Sequence, residues 1–165
     1  MKRNGSMKNE FLMYCGIGAL LLFTACSQEE ELYYQFRSFP YSVWDAQEEI
    51  RFEVPLHSVQ EHYDVYLEVR NTTGYNFRNI WLIVDFLNTD GTLQTDTIQA
   101  NLADIDGKWY GSGISMYDTE IPFQTNIQYP DSGICVYTIR QGMQENPLRG
   151  IADVGLRITQ SPQIQ

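Results

Sequence analysis

In the octapeptide Tyr63-Asp64-Val65-Tyr66-Leu67-Glu68-Val69-Arg70, every second side chain is apolar. A period of two residues places alternate side chains on opposite faces of an extended chain, so this pattern predicts a half-buried β-strand. Shorter runs with the same alternation occur at residues 50–54 and 154–158. The body of the chain is therefore predicted to be built from strands.

The segments that follow the octapeptide support this prediction. Residues 80–87 form a nearly continuous apolar run, which predicts a strand covered on both faces or nearly so. Asn88-Thr89-Asp90-Gly91 is a hairpin turn that leads into a strand at residues 93–98, whereas residues 100–105 could form one helical turn. Eight or nine strands without a long amphipathic helix predict an all-β fold. We expect an antiparallel two-sheet β-sandwich (jelly-roll or Ig-like), with a small β-barrel as the alternative.

The N-terminus has the organisation of a secretory signal peptide. Lys2, Arg3 and Lys8 precede an uncharged apolar run at residues 11–23, and Thr24-Ala25-Cys26 follows it. The run is nearer 13 than the roughly 20 residues that a membrane-spanning helix needs. Small residues before a cysteine resemble the lipobox of bacterial lipoproteins, in which the cysteine thiol receives a diacylglycerol and becomes the new N-terminus. We therefore predict a covalent acyl lipid on Cys26.

This assignment divides the chain into four parts. Residues 1–25 are the predicted signal peptide, residues 26–32 a lipidated tether, residues 33–160 a single domain and residues 161–165 a C-terminal tail. The acidic segment at residues 27–31 is either a solvated spacer or a signal for export to the cell surface, because it resembles the export signal of Bacteroidetes lipoproteins. The leaflet that the anchor occupies is left open.

Charge excludes several classes of partner. The chain has a formal net charge of −10, and removal of Lys2, Arg3, Lys8 and Glu10 leaves 8 basic and 20 acidic residues, a net charge of −12. Nucleic-acid binding needs clustered Lys and Arg, and attraction to anionic lipid headgroups needs the same. Neither is expected. The acyl chains must hold the body to the membrane.

The sequence contains no recognisable catalytic or metal-binding motif. His57 and His62 are five residues apart and lack the spacing of a metalloprotease motif. Cys135 stands in a strand-like run, which indicates a buried apolar role rather than a nucleophile. We therefore predict a non-enzymatic protein without a metal ion or a cofactor other than its lipid.

Two short segments suggest further sites. Lys108-Trp109-Tyr110-Gly111 stands beside acidic residues, and exposed aromatic rings in such a setting can stack on sugars; the alternative is that one ring enters the core and the other points out. Asp96-Thr97-Ile98 resembles the O-glycosylation motif of exported Bacteroidetes proteins, which makes Thr97 a candidate acceptor. Because the Trp109 and Tyr110 rings could stack on sugars, a carbohydrate-binding surface lipoprotein is the alternative function.

Several segments, taken in order, resemble the gliding motility lipoprotein GldH family of Bacteroidetes. The segments are Leu67-Glu68-Val69-Arg70-Asn71-Thr72-Thr73-Gly74-Tyr75, Asn79-Ile80-Trp81-Leu82, Asp96-Thr97-Ile98, Leu102-Ala103-Asp104, Asp106-Gly107-Lys108-Trp109-Tyr110-Gly111-Ser112-Gly113, Arg140-Gln141-Gly142-Met143 and Leu148-Arg149-Gly150-Ile151-Ala152-Asp153-Val154-Gly155-Leu156-Arg157-Ile158. The likeness runs from about residue 33 to about residue 160. It covers nearly the whole body.

The resemblance implies an outer-membrane lipoprotein of the gliding machinery, which is linked to type IX secretion. It implies no catalytic residue, and its expected partners are other envelope or gliding lipoproteins. If a partner docks, the glycine positions point to two candidate partner-facing loop regions, comprising Trp109, Tyr110, Gly111 and Gly113 in one and Gln141, Gly142 and Met143 in the other. The alternative is that these glycines serve backbone geometry alone.

Overall fold

The computed structural model describes residues 31–58 and 60–162. Eleven strands follow one another within these ranges: β1 (Glu31–Ser38), β2 (Val43–Trp44), β3 (Ile50–Leu56), β4 (Tyr63–Thr72), β5 (Asn79–Leu87), β6 (Leu93–Asn101), β7 (Ser112–Gly113), β8 (Met116–Ile127), β9 (Gly133–Gln141), β10 (Leu148–Arg149) and β11 (Ile151–Gln160). A 3-10 turn at Pro40–Ser42 is the one helical element in the described ranges. These ranges contain no helix that is long and apolar enough to cross a membrane.

The strands form two main sheets and one short ladder. One sheet has the order β1-β11-β4-β8-β7, the other has the order β3-β9-β5-β6, and β10 pairs with β2. Every pairing is antiparallel. Each main sheet keeps two edge strands in the described structure, so the sheets do not close on one another. The predicted all-β sandwich is confirmed, and the closed alternative is not.

The chain changes sheet at each connection between long strands except the β5–β6 hairpin. This alternation gives the sandwich two ends with different contents. The near end holds the start of β1, the end of β11 and the loops at residues 57–62, 88–92 and 128–132. The far end holds the loops at residues 39–49, 73–78, 102–115 and 142–150. A ten-residue strand separates the two ends by about 33 Å.

The core lies between the two sheets and is sealed at the far end by Trp44. Alternate residues of β3, β4 and β5 enter this core, as their period of two predicts. The Trp44 ring is fully buried and stacks on Phe39 at 4.8 Å between ring centroids. Its Nε1–H donates to the carbonyl oxygen of Glu48 across 2.9 Å, so the one polar atom of the ring has a partner.

Two predictions about individual segments are wrong. β5 is buried on one face only, and its outer face carries Trp81, Ile83, Asp85 and Leu87. The apolar run therefore does not mark a strand with a second covering layer. No helical turn forms at residues 100–105, because β6 continues to Asn101. The N–H groups of the next two residues then both donate to the carbonyl oxygen of Arg78.

The folded region extends beyond the predicted domain bounds, residues 33–160, at both ends. β1 begins at Glu31, inside the predicted tether, and pairs with Thr159 of β11. Ser161, placed in the predicted tail, is buried and its N–H donates to the carbonyl oxygen of His62 across 2.8 Å. The signal peptide, Cys26 and residues 163–165 lie outside the described residues.

Candidate partner-binding site

A cavity of about 320 Å³ opens at the far end beside the end of β9. Its lining is mostly aromatic and polar, and consists of Phe77, Asn79, Trp81, Gly142, Met143, Gln144 and Glu145. We refer to this cavity as the far-end cleft. It brings one of the two predicted partner-facing loop regions together with the outer face of β5.

Trp81 lies in the cleft because its neighbours Ile80 and Leu82 both enter the core, which turns the indole outward. The ring is 39% exposed. The Trp81 N–H donates to Sδ of Met143 across 3.4 Å, and the Gly142 N–H donates to the Trp81 carbonyl oxygen across 2.8 Å. These two contacts hold the loop after β9 against the start of strand β5.

Gln141 does not face a partner. Its side chain is buried, its Oε1 accepts from the Met143 N–H across 2.8 Å, and its Nε2 donates to the Glu145 carbonyl oxygen across 3.4 Å. Gln141 therefore shapes the loop from inside. Gly142 serves the same loop, because a Cβ at this position would lie 3.3 Å from the Cβ of Trp81.

The second predicted loop region reaches the cleft through a chain of aromatic contacts. Trp109 is half-buried, with its ring centroid 5.7 Å from that of Tyr117 and 6.4 Å from that of Tyr75. Tyr75 in turn contacts Phe77, which lines the cleft, at 5.6 Å. Phe77 and Tyr75 were missed in the sequence because they follow a turn and show no alternation. Tyr75 and Phe77 connect Trp109 to the cleft only because the fold brings these residues together.

Tyr110 and the two glycines behind it have different roles from Trp109. Tyr110 is 63% exposed, so one aromatic of the pair points inward and the other outward. A Cβ on Gly111 would lie 2.7 Å from the Asp118 carbonyl oxygen, and one on Gly113 would lie 1.8 Å from that of Met116. Both glycines let this segment pack directly on the backbone of β8.

A polar cluster that the sequence did not reveal crosses the outer face of the five-stranded sheet. Arg157 of β11 contacts Glu68 of β4 at 3.3 Å and also contacts Glu120 of β8. Arg70 pairs with Asp118 at 2.8 Å. Three carboxylates are therefore held by two guanidinium groups across three neighbouring strands. We call these five residues the charge ladder.

Glu68 is the buried member of the ladder. Removal from water raises the pKa of its carboxyl to about 7, and the charges of Asp118 and Glu120 act in the same direction, while Arg157 opposes them. The ring of Phe36 covers the guanidinium of Arg70, with 3.7 Å between Cζ and the ring centroid. Aromatic cover and paired charges make this face a rigid polar surface.

Thr97 and Cys135 have contrasting environments. Thr97 is exposed on the outer face of β6, opposite Ile83, as an acceptor for a glycan must be. Cys135 is fully buried, and burial raises the pKa of its thiol to about 12. Within residues 31–58 and 60–162, no group of three or more His, Cys, Asp or Glu side chains is arranged to hold a metal ion.

Comparison with known proteins identifies the family. The family model described as GldH lipoprotein matches residues 31–158, which is nearly the whole described sandwich. The chain belongs to the GldH lipoprotein family. The match starts at the first residue of β1 and includes both the far-end cleft and the charge ladder.

Two relatives of this GldH family member are gliding motility lipoproteins by name. The gliding motility lipoprotein GldH homolog of Christiangramia forsetii is 26% identical over 163 residues, covering 94% of this chain and 99% of the relative. The gliding motility lipoprotein GldH of Flavobacterium johnsoniae is 25% identical over 152 residues, covering 87% of this chain and 92% of the relative. Both alignments extend over nearly the full length of both proteins.

Solved structures show weaker likenesses to this GldH family member. Dimeric latent PorU from Porphyromonas gingivalis gives a TM-score of 0.36 at 10% identity, covering 82% of this chain and 14% of that one. A structure of infectious bursal disease virus gives a TM-score of 0.31 at 14% identity, covering 81% of this chain and 33% of that one. The chain thus spans a small part of each structure.

Proposed function

We propose that this chain is a non-enzymatic lipoprotein, anchored through an acylated Cys26 in the outer membrane of a Bacteroidetes cell. It serves there as an assembly component of the gliding machinery, the type IX secretion machinery or both. The observation that carries this proposal is the family match over residues 31–158, together with relatives named as gliding motility lipoproteins. Other envelope or gliding lipoproteins are the proposed partners.

The position of the far-end cleft supports a partner-binding role. The body begins at Glu31, which lies at the near end, whereas Trp81 and Met143 lie at the far end. An anchor at Cys26 would therefore leave the cleft about one strand length, roughly 33 Å, from the near end. A surface presented away from the membrane in this way suits the capture of another envelope protein.

The cleft also has the composition of a binding surface. Trp81 supplies exposed apolar contact area beside the half-buried Met143, while Asn79 and Glu145 supply polar groups of the lining. Aromatic residues and Met are enriched in protein interfaces, and a few such anchors carry most of the binding energy. We therefore place the main partner contact at Trp81.

The proposal is tested by a pulldown from solubilised envelope with the lipidated full-length chain. We expect the wild type to recover gliding or secretion proteins and Trp81→Ala to recover about tenfold less. Tyr41→Ala is the matched control, because Tyr41 is an exposed aromatic at the same end but lies outside the cleft. Recovery of no gliding or secretion protein by the wild type would reject the assembly role.

The leaflet is a separate question with its own test. Glu31 belongs to β1, so an export signal behind Cys26 would rest on Glu29 and Glu30. The two alternatives are display on the cell surface and a position in the periplasm. Protease treatment of whole cells separates them, since a surface protein is shaved from intact cells and a periplasmic one is protected.

Carbohydrate binding is a second candidate function, favoured by the exposed indole of Trp81 beside Asn79, Gln144 and Glu145. An aromatic face next to amide and carboxylate groups is able to stack on a sugar ring and bind its hydroxyls. Titration with envelope glycans separates the two functions. A glycan that binds the wild type but not Trp81→Ala, with unchanged protein recovery, would favour the sugar.

A further inference from the structure

Three exposed apolar side chains lie together at the near end of the four-stranded sheet. Leu87 of β5 is 38% exposed and directly opposite Leu93 of β6, which is 62% exposed. Ile134 of β9 is 60% exposed and stands opposite Pro55 of β3. All three side chains point to the outer face of the sheet. We call Leu87, Leu93 and Ile134 the near-end patch.

The position of the patch follows from strand register. Leu87 pairs with Leu93 on one side and with Val136 on the other, so the three strands carry apolar residues in the same outward row. Ile134 stands one row closer to the end of the sheet. The next row toward the far end is polar and contains Thr95, Asp85 and Thr138. The patch is therefore confined to the rim of the near end.

The start of β1 lies at the same end of the molecule. Glu31 is the first residue of β1, and the end of β3 and the start of β9, which carries Ile134, lie at this same end. Five peptide units connect Cys26 to Glu31, and such a segment spans at most about 18 Å when fully extended. A lipid on Cys26 thus keeps Glu31, at the near end, within about 18 Å of the membrane surface.

We propose that the near-end patch inserts into the interface of the membrane in which the anchor lies. Its occupant is the lipid bilayer, at the boundary between headgroups and acyl chains. This inference rests on the lipidation of Cys26 proposed above. The tether favours lipid as the occupant. It holds the patch close to a bilayer at all times, whereas a protein partner would have to diffuse to the patch. The acyl chains on Cys26 supply the main attachment, and additional buried apolar area strengthens it.

Charge restricts the kind of membrane. The near end carries acidic side chains, among them Glu31, Glu61, Asp90 and Asp131, so an anionic surface would repel it. A zwitterionic surface such as phosphatidylcholine or phosphatidylethanolamine is the chemistry that fits. Two attachments, the acyl chains and the patch, would hold the sandwich upright. The far-end cleft would then point away from the bilayer.

The test measures depth with a nitroxide label on the lipidated mature protein, residues 26–165, in phosphatidylcholine vesicles. The label is attached at Leu93→Cys or, as the matched control, at Ile105→Cys, which is a far-end position that is 85% exposed. Cys135 is buried, and a lipidated Cys26 has no free thiol, so the introduced cysteine takes the label. We expect the Leu93→Cys label to be about fivefold less accessible to a water-soluble relaxing agent than the control label.

A substitution pair supplies the second arm. Leu87→Ser with Ile134→Ser removes two members of the patch, and we expect the accessibility of the Leu93→Cys label to rise about threefold or more. Ile105→Ser with Ile114→Ser alters two exposed residues at the far end. This control pair should leave the accessibility of the Leu93→Cys label unchanged. Circular dichroism confirms that both double variants remain folded, since all four side chains lie on the surface.

Each other outcome is decisive. Equal water accessibility at Leu93→Cys and Ile105→Cys in the lipidated protein overturns the patch proposal and leaves the lipoprotein role intact. Dipolar coupling between Leu93→Cys labels on different copies, without lipid contact, shows that a second copy covers the patch. Mass spectrometry that finds no lipid on Cys26 overturns both the anchor and the patch.

Discussion

The Nε of Arg157 lies 3.3 Å from Oε1 of Glu68, on the outer face of the five-stranded sheet. The same guanidinium contacts Glu120, and its Cζ lies 4.5 Å from the ring centroid of Tyr66. One arginine therefore serves two carboxylates and one ring. Glu68 is the buried carboxylate, and the single positive charge is shared, so Glu68 keeps a raised pKa despite its partner.

The first prediction concerns Glu68→Gln and pH. Because the folded pKa of Glu68, about 7, lies above the ordinary value of 4.5, the native state holds a proton that the unfolded state releases. The contribution of Glu68 to stability is present below about pH 4.5 and is lost as the pH rises through 7. We expect Glu68→Gln to gain about 1–3 kcal/mol relative to the wild type between pH 5 and pH 8 in urea unfolding.

Glu53→Gln is the control for this prediction. Glu53 lies exposed on the outer face of the other sheet and pairs with Arg51 at 3.2 Å. An exposed pair of this kind contributes about 0–1 kcal/mol, so the control should follow the wild type at both pH values. Parallel pH profiles for Glu68→Gln and the wild type would show that Glu68 is ionised throughout.

The second prediction compares two glycines with positive φ. A Cβ on Gly150 (φ +93°) would lie 2.5 Å from the Cα of Tyr75, whereas one on Gly91 (φ +84°) would meet nothing within 4 Å. Gly91→Ala should lose about 1 kcal/mol from backbone strain alone. Gly150→Ala should lose about 3 kcal/mol or more, because backbone must also move. Equal losses in urea unfolding would contradict the close approach.

The third prediction concerns the anchor. Cys26→Ser should leave the unfolding free energy of the body unchanged, because the described fold begins at Glu31. The variant should leave the membrane fraction, since the remaining apolar contacts are too small to hold it alone. Cys135→Ala is the control and should remain membrane-bound. A Cys26→Ser protein that resists a carbonate wash would refute lipid anchoring at this residue.

The fourth prediction concerns the thiol of Cys135. The side chain is fully buried and burial raises its pKa to about 12, so the reactive thiolate is scarce at neutral pH. We expect alkylation by iodoacetamide to be at least about 100-fold slower in the native protein than in urea. Labelling at the unfolded rate under native conditions would mean that the core near β9 opens readily.

Much of the fold could be predicted from local pattern. Alternation at Tyr63–Thr72 and at Ile50–Leu56 corresponds to half-buried strands, and Gly91 has the positive φ that the predicted hairpin needs. These features are local, because side-chain period and turn chemistry act over a few residues.

The error about β5 has a simple physical cause. β5 carries apolar residues on both faces, yet one face remains on the surface with Trp81 and Leu87. Apolar composition alone does not show whether another layer covers a strand. The same uncertainty hid the near-end patch and the exposure of Trp81 in the far-end cleft.

The sequence alone was sufficient for the strand content and the family, and it is the basis of the predicted lipid anchor at Cys26. Each of these is encoded within a short window or in composition. Tertiary structure was required to place Phe77, Trp81 and Met143 in one cleft and to join Arg157, Glu68 and Glu120 across three strands. Such contacts depend on strand order and register, which arise from packing between residues far apart in the chain.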